Sequence, residues 1–172
     1  MAQLVVNNPG CGAIRRAQRL GIGCSVIEHR LLRRREELDA AVVACLSQHR
    51  VDVVVMAGWM RIVTPVLIQA FPGRMVNIHP SLLPSFRGLD AVGQALAAGV
   101  TLSGCTAHLV VEEVDAGEIL VQAAVPVLSN DSHQSLTARI QRMEHRVLPF
   151  AVGLIAARLD AQAGAAAERA QG

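Results

Sequence analysis

Aromatic side chains are almost missing from this chain, which has one Trp, three Phe and no Tyr in 172 residues. With 52% apolar residues overall and Ala and Val prominent, the core has to be aliphatic. A strong charge of either sign is missing as well. Sixteen Lys and Arg against fourteen Asp and Glu leave a formal charge of +2, too small to steer the protein onto nucleic acid or anionic lipid by field alone. The start of the sequence shows no charged and apolar leader with a small-residue cleavage site, and no apolar run reaches the ~20 residues that span a bilayer. The expectation is a cytoplasmic protein with no nucleic-acid or membrane partner. Cysteine pairs are missing too. Cys11, Cys24, Cys45 and Cys105 stand singly, without the Cys-x-x-Cys spacing of zinc or dithiol chemistry, so they read as reduced, mostly buried thiols and no metal is expected. No internal repeat and no interdomain linker interrupts the chain, which reads as one domain of a size that buries roughly 70% of its unfolded surface.

What is present begins with an apolar run from Val51 to Trp59, broken by Asp52 alone and closed by Gly58. Such a run suits a strand covered on both faces, as in parallel α/β sheets. Before it, Arg33 to His49 carries Leu38, Ala41, Val42, Cys45 and Leu46 at helical spacing. After it, Thr64-Pro65 reads as a helix N-cap with Pro at the first position, opening a short helix to about Ala70. Leu4 to Val6 reads as a strand leading through a turn into a helix near Ala13 to Leu20, and Arg74 to Ile78 as another strand, followed by a helix from about Ala91 to Ala98. Thr106 to Val111 and Ile119 to Val127 are β-rich runs joined by an acidic turn, which predicts antiparallel pairing at one end of the sheet. A helix from Ser132 to about Leu159 carries Leu136, Ile140, Met143, Val147 and Leu148 on one face, and the Ala- and Gln-rich residues 161–172 read as a frayed, disordered tail. The fold class is α/β: a Rossmann-like, doubly wound, mostly parallel sheet with an antiparallel C-terminal edge.

The chemistry concentrates in Asn77-Ile78-His79-Pro80-Ser81-Leu82-Leu83-Pro84-Ser85. Residues i and i+2 of a strand face the same way, so Asn77 and His79 can both project beyond a strand's carboxyl end, where open α/β sheets hold ligands. An amide and a protonated imidazole suit a developing oxyanion. Asp115 is the candidate carboxylate that orients the imidazole and keeps it protonated. Taken bare, the Asn-x-His pair is weak evidence and reads first as a strand-end pair bonded to backbone.

Five stretches taken together are specific: Val53 to Ile62, Val76 to Pro84, Ser103-Gly104-Cys105-Thr106-Ala107-His108, Glu113-Val114-Asp115-Ala116-Gly117, and Arg139 to His145. In order and spacing they resemble the phosphoribosylglycinamide formyltransferases of purine biosynthesis, from about Leu4 to Leu159. The resemblance implies a formyltransferase fold over residues 1–160 and an enzyme that moves a formyl group from 10-formyltetrahydrofolate, as co-substrate, to the amine of glycinamide ribonucleotide. It implies that Asn77 and His79 act on the formyl oxygen and that Asp115 holds His79 protonated and helps move the amine proton. It assigns the folate side to Arg35, to Met60, Arg61, Ile62 and Val63, and to Val111, Glu112, Glu113, Val114 and Asp115, and it gives Gln141 and Glu144 to glycinamide ribonucleotide. Arg35 also has a plain reading as a helix-start arginine. Pro84 is expected to follow a cis peptide.

His108 reads as a structural histidine supporting the loop, Trp59 as core, and Arg33 and Arg34 as a solvated helix face. Two departures from the family stand out. The family's first strand, Gly-Ser-Asn type loop and helix do not occur here, and that loop cradles the nucleotide phosphate, so the expectation is a start placed too far downstream or a truncated chain. Asp90 stands where many relatives carry His. The alternatives are a truncated, non-catalytic folate-binding remnant, or a related folate-dependent formyltransferase or deformylase. Oligomeric state has no signal in the sequence.

Overall fold

The computed structural model describes the backbone of residues 1–171 and the side chains of residues 1–169. The chain divides into two compact units, Met1–Val54 with Arg61–Pro72, and Val55–Met60 with the chain from Gly73 onward.

In the first unit, strand β1 (Leu4–Val6) pairs in parallel with β2 (Cys24–Val26), Leu4 opposite Cys24, and helix α1 (Gly12–Arg19) connects them. Strand β2 and the 3-10 turn at His29–Leu31 are too short to carry a periodic signal, and the sequence reading missed both. Helix α2 (Arg35–Gln48) buries Leu38, Val42 and Leu46, which recur every four residues on one face. It packs on α3 (Pro65–Ala70). Pro65 opens α3 as expected, but the cap works differently. The Thr64 hydroxyl makes no cap bond and lies buried without a partner. Instead, the buried Asp39 carboxylate of α2 accepts from the Thr64 N–H at 2.5 Å, satisfying one of the donors left at a helix start.

Strand β3 (Val54–Met56) is much shorter than the apolar run that predicts it, and Val55 is 43% exposed. The physical reason is position. In the sheet order β3-β4-β5-β6, β3 is an end strand, so this sheet offers it a ladder on one side only.

The second unit is built on β4 (Met75–His79), β5 (Leu102–Leu109) and β6 (Ile119–Pro126). Both β4–β5 and β5–β6 are antiparallel; β5–β6 is the C-terminal edge that the sequence predicts, and the β4–β5 ladder carries the antiparallel pairing one strand further than expected. Helix α4 (Ala91–Ala97) precedes β5, and α5 (His133–Gln171) packs on β5 and β6. The core holds Met75, Val76, Cys105, Ala107 and Val125 from the strands and Leu136, Ile140, Val147, Ala151 and Ile155 from α5. All are aliphatic or small, as the scarcity of aromatics requires. Each large side chain buried in this way contributes about 1.5–3 kcal/mol. Helix α5 continues to Gln171 through the stretch read as a frayed tail, and Ala161, Ala163, Ala165, Ala166 and Ala167 there are the best helix formers. All four cysteines are free thiols, but only Cys105 is buried. The expectation of mostly buried thiols therefore holds for one of them; the other three lie at partly exposed positions.

Candidate active site

Register builds the site. In the β4–β5 ladder Asn77 stands opposite His108 and His79 opposite Thr106. Because side chains alternate along a strand, these four project from one face of the sheet. Across the next ladder Gln122 of β6 is opposite Thr106 and extends the polar row. One sheet face thus carries an amide, two imidazoles, a hydroxyl and a second amide.

Two loops close on this row. The turn after β5 is held at its base, where Leu109 N–H donates to Glu118 O and Val110 N–H to Met75 O, both at 2.9 Å. Within it Asp115 takes a left-handed backbone, φ 54, and its side chain turns back over the strands. Asp115 Oδ2 lies 3.3 Å from His79 Nδ1 and Oδ1 lies 3.4 Å from His108 Nε2, with all three side chains less than a tenth exposed. Gly117 lets the turn sit so close, because a Cβ there would fall 1.8 Å from Leu109 O.

The second loop follows β4. Ser81 Oγ donates to Ser85 O at 2.5 Å, and Leu83–Pro84 is cis. Thr106 Oγ1 donates to Ser81 O at 2.7 Å and accepts from Leu83 N–H at 3.0 Å and from Gln122 Nε2 at 2.9 Å. Gln122 also donates to Leu83 O at 2.9 Å. Beyond this anchor, Phe86 has a left-handed backbone, φ 56, and its carbonyl lies 2.8 Å from His79 Nε2. A carbonyl only accepts, so Nε2 carries a hydrogen. Gly88 N–H donates to Asp115 Oδ2 at 2.9 Å, and Arg87 pairs with Glu113 at 2.9 Å. At the far end of this loop Asp90 caps α4 through Gly93 N–H and takes His133 Nε2 at 2.8 Å. That bond ties the departure at position 90 to the start of α5.

The electrostatics follow from these contacts. Burial pushes against ionisation of Asp115, but the hydrogen bond from Gly88 N–H and the charge of His79 pull the other way, and the carboxyl is held below its ordinary value. His79 faces oxygen acceptors at both nitrogens, and only the doubly protonated ring donates to both. An imidazolium beside a carboxylate, next to an amide, can stabilise a developing oxyanion and move a proton.

Asn77, His79 and Asp115 come together as the sequence predicts. His108, read there as loop support, joins them, with Nε2 also 3.2 Å from Asn77 Nδ2. The missed signal was Thr106-x-His108, a second polar-x-polar pair on the strand facing Asn77-x-His79. Phe86 and Gly88 act through backbone atoms and leave no side-chain signal. Val111 and Val114 are over 40% exposed on the Asp115 turn, beside the exposed Glu112 and Glu113. Met60, Arg61, Ile62 and Val63 form the loop after β3 where the two units divide, with Met60 and Ile62 mostly exposed. Arg35 lies exposed at the start of α2, in the first unit. Gln141 and Glu144 lie on α5, and among the described residues neither joins the hydrogen bonds of the His79–Asp115 cluster. Burial raises the Glu144 carboxyl above its ordinary value, against the opposing pull of His145. Burial also pushes the Cys105 thiol up to about 11, with the Glu144 charge adding to the shift.

Residues 1–152 match the formyl transferase family. The chain is 44% identical over 153 residues to the human trifunctional purine biosynthetic protein adenosine-3, covering 89% of this chain and 15% of that protein. It is 37% identical over 151 residues to phosphoribosylglycinamide formyltransferase of Bacillus subtilis, covering 88% of this chain and 77% of that one. Among solved structures, glycinamide ribonucleotide transformylase 1 of Symbiobacterium toebii superposes with a TM-score of 0.87 at 42% identity, over 88% of this chain and 72% of that one.

Proposed function

The chain belongs to the formyl transferase family and has its fold, and from that premise we propose that it transfers a formyl group from 10-formyltetrahydrofolate to the amine of 5-phosphoribosylglycinamide in purine biosynthesis. The observation that carries the reading is the buried His79–Asp115 pair at 3.3 Å, with Asn77 two residues before His79 on the same sheet face.

The chemistry runs as acyl transfer. The substrate amine attacks the formyl carbon, and the carbonyl oxygen becomes an oxyanion that Asn77 Nδ2 and His79 stabilise. Nε2 of His79 is tied to Phe86 O by the shorter bond, so Nδ1, held more loosely by Asp115 at 3.3 Å, is the nitrogen that turns its hydrogen to substrate. Asp115 takes the proton that the attacking amine gives up. Collapse of the tetrahedral intermediate breaks the bond to the folate N10, which takes a proton from His79 as tetrahydrofolate leaves. In the second unit the exposed apolar side chains Met60, Val111 and Val114 suit a flat pterin ring. The family resemblance also gives folate contacts to Arg35, Arg61, Ile62 and Val63 of the first unit and to Glu112 and Glu113 of the second, and gives Gln141 and Glu144 to the nucleotide substrate. Free thiols throughout suit a reducing cytoplasm.

Incubating the protein with 10-formyltetrahydrofolate and glycinamide ribonucleotide, and following formylglycinamide ribonucleotide by mass, tests the proposal. Folate binding in a calorimeter without product, under conditions where a known formyltransferase turns over, would mean a binding module instead.

A further inference from the structure

His108 does more than fill the core. It faces Asn77 in the β4–β5 register and is 2% exposed. Its two ring nitrogens have different partners. Nδ1 lies 2.8 Å from Leu109 O, and since a carbonyl only accepts, Nδ1 carries hydrogen. In the neutral ring Nε2 then presents a lone pair, to which Asn77 Nδ2 donates at 3.2 Å. A carboxamide turned the other way would set Oδ1 against that lone pair, acceptor facing acceptor. Asp115 Oδ1 stands 3.4 Å from the same Nε2, so a single atom faces a donor and an acceptor and can serve one of them at a time. The Asn77 contact is the shorter.

We propose that His108 is a positioning residue for formyl transfer: its Nε2 lone pair holds the Asn77 carboxamide in the orientation that leaves the second Nδ2 hydrogen for the formyl oxygen. The inference rests on the formyl-transfer reading of the site. An amide fixed by one of its two hydrogens points the other in a set direction within its own plane. Without His108 the amide can turn over and present Oδ1, which repels an oxyanion instead of stabilising it. The effect appears only where charge develops on the oxygen, so it belongs to kcat rather than to ground-state binding.

The test compares His108→Leu, which has no acceptor, with His108→Gln, whose side-chain carbonyl can still take the Asn77 hydrogen. In His108→Leu, kcat falls by on the order of tenfold to a hundredfold, as misplacing a reacting group does, while KM for both substrates stays near the wild-type value. His108→Gln recovers most of that loss. Adding His108→Leu to Asn77→Ala costs nothing further, since the group being positioned is already gone. In the substrate-free protein, the side-chain 1H–15N signals of Asn77 show one hydrogen bonded to an acceptor, and this signature disappears in His108→Leu. Unchanged kcat in His108→Leu, additive losses in the double variant, or Asn77 signals indifferent to His108 would each overturn the proposal. Should His108→Leu not fold, His108→Gln decides: a large loss of kcat with the Asn77 signature intact also overturns it. A wild-type protein that forms no product removes the formyl-transfer reading itself, whereas the Asn77 signals report on the contact independently of turnover.

Discussion

Replacing Thr106 by Val keeps the shape of a fully buried side chain and removes only its hydroxyl. That hydroxyl is the hub of the loop after β4, giving a hydrogen bond to Ser81 O and receiving bonds from Leu83 N–H and Gln122 Nε2. The partners differ in what they lose. Gln122 keeps its bond to Leu83 O, so its amide remains satisfied. Ser81 O loses one bond, a net cost of about 1 kcal/mol. Leu83 N–H, on a residue only 5% exposed, is stranded, and an unsatisfied buried donor costs about 1–3 kcal/mol. The sum is about 2–4 kcal/mol, which in a chain of this length lowers Tm by roughly 4–16 °C. Thr106→Ser is the control. It keeps every bond and loses one buried methyl, at about 1 kcal/mol. Urea titrations of the three proteins should rank them wild type, Ser, Val, with similar slopes. A Val variant as stable as the Ser variant would refute the reasoning, because packing rather than hydrogen bonding would then hold the loop.

Three further outcomes are expected. His79→Ala should lower kcat by about 10²–10⁴-fold while titration calorimetry still detects folate binding; turnover near the wild-type rate removes His79 from the chemistry. Asp115 is held below the ordinary carboxylate range, burial notwithstanding, with Gly88 N–H and the charge of His79 favouring the carboxylate, so its ionised form stabilises the fold above the ordinary carboxylate pKa, and that contribution fades as pH falls through the lowered folded value. Asp115→Asn should therefore flatten the loss of stability below about pH 4, and parallel acid curves for the two proteins would contradict the assignment. Gly117→Ala, whose Cβ would overlap Leu109 O, should push out the Asp115 turn and lower both Tm and kcat; a variant with wild-type values of both means the turn has slack.

How much of this could be read in the sequence depends on the length over which a signal accumulates. Helix α2 shows its buried face in Leu38, Val42 and Leu46, and α5 in Leu136, Ile140 and Val147, because several turns repeat the same pattern. Strand β2, three residues long, has nothing to repeat. The run Val51 to Trp59 misled by composition. Apolar residues tell that a segment avoids water, whereas how far it forms a strand depends on ladders it finds, and β3 has a neighbour in this sheet on one side. Residues 161–169 misled in the opposite sense, since a stretch without a buried face reads as a frayed end although its alanines favour the helix that forms.

The site divides along the same physical line. Asn77 and His79 are visible because a strand's alternation puts i and i+2 on one face, a rule that needs no partner. Asp115 could be named only as a carboxylate of suitable type, since its approach depends on a left-handed backbone and on a glycine two residues later that tolerates contact with Leu109 O. His108 required the register. Shift β5 by one residue against β4 and His79 would face Cys105 or Ala107 in place of Thr106, while His108 would turn to the other face of the sheet. The loop anchor at Thr106 and the imidazole beside Asn77 thus share one cause, the pairing of His79 with Thr106 and of Asn77 with His108. A variant that slips this register should lose the loop anchor and the cluster of Asn77, His79, His108 and Asp115 together, whereas Thr106→Val, which keeps the register, should weaken the anchor and leave the Asn77–His108 contact in place. Side-chain signals of Asn77 that vanish in Thr106→Val would show that the anchor itself holds the register, making the two halves of the site one structure.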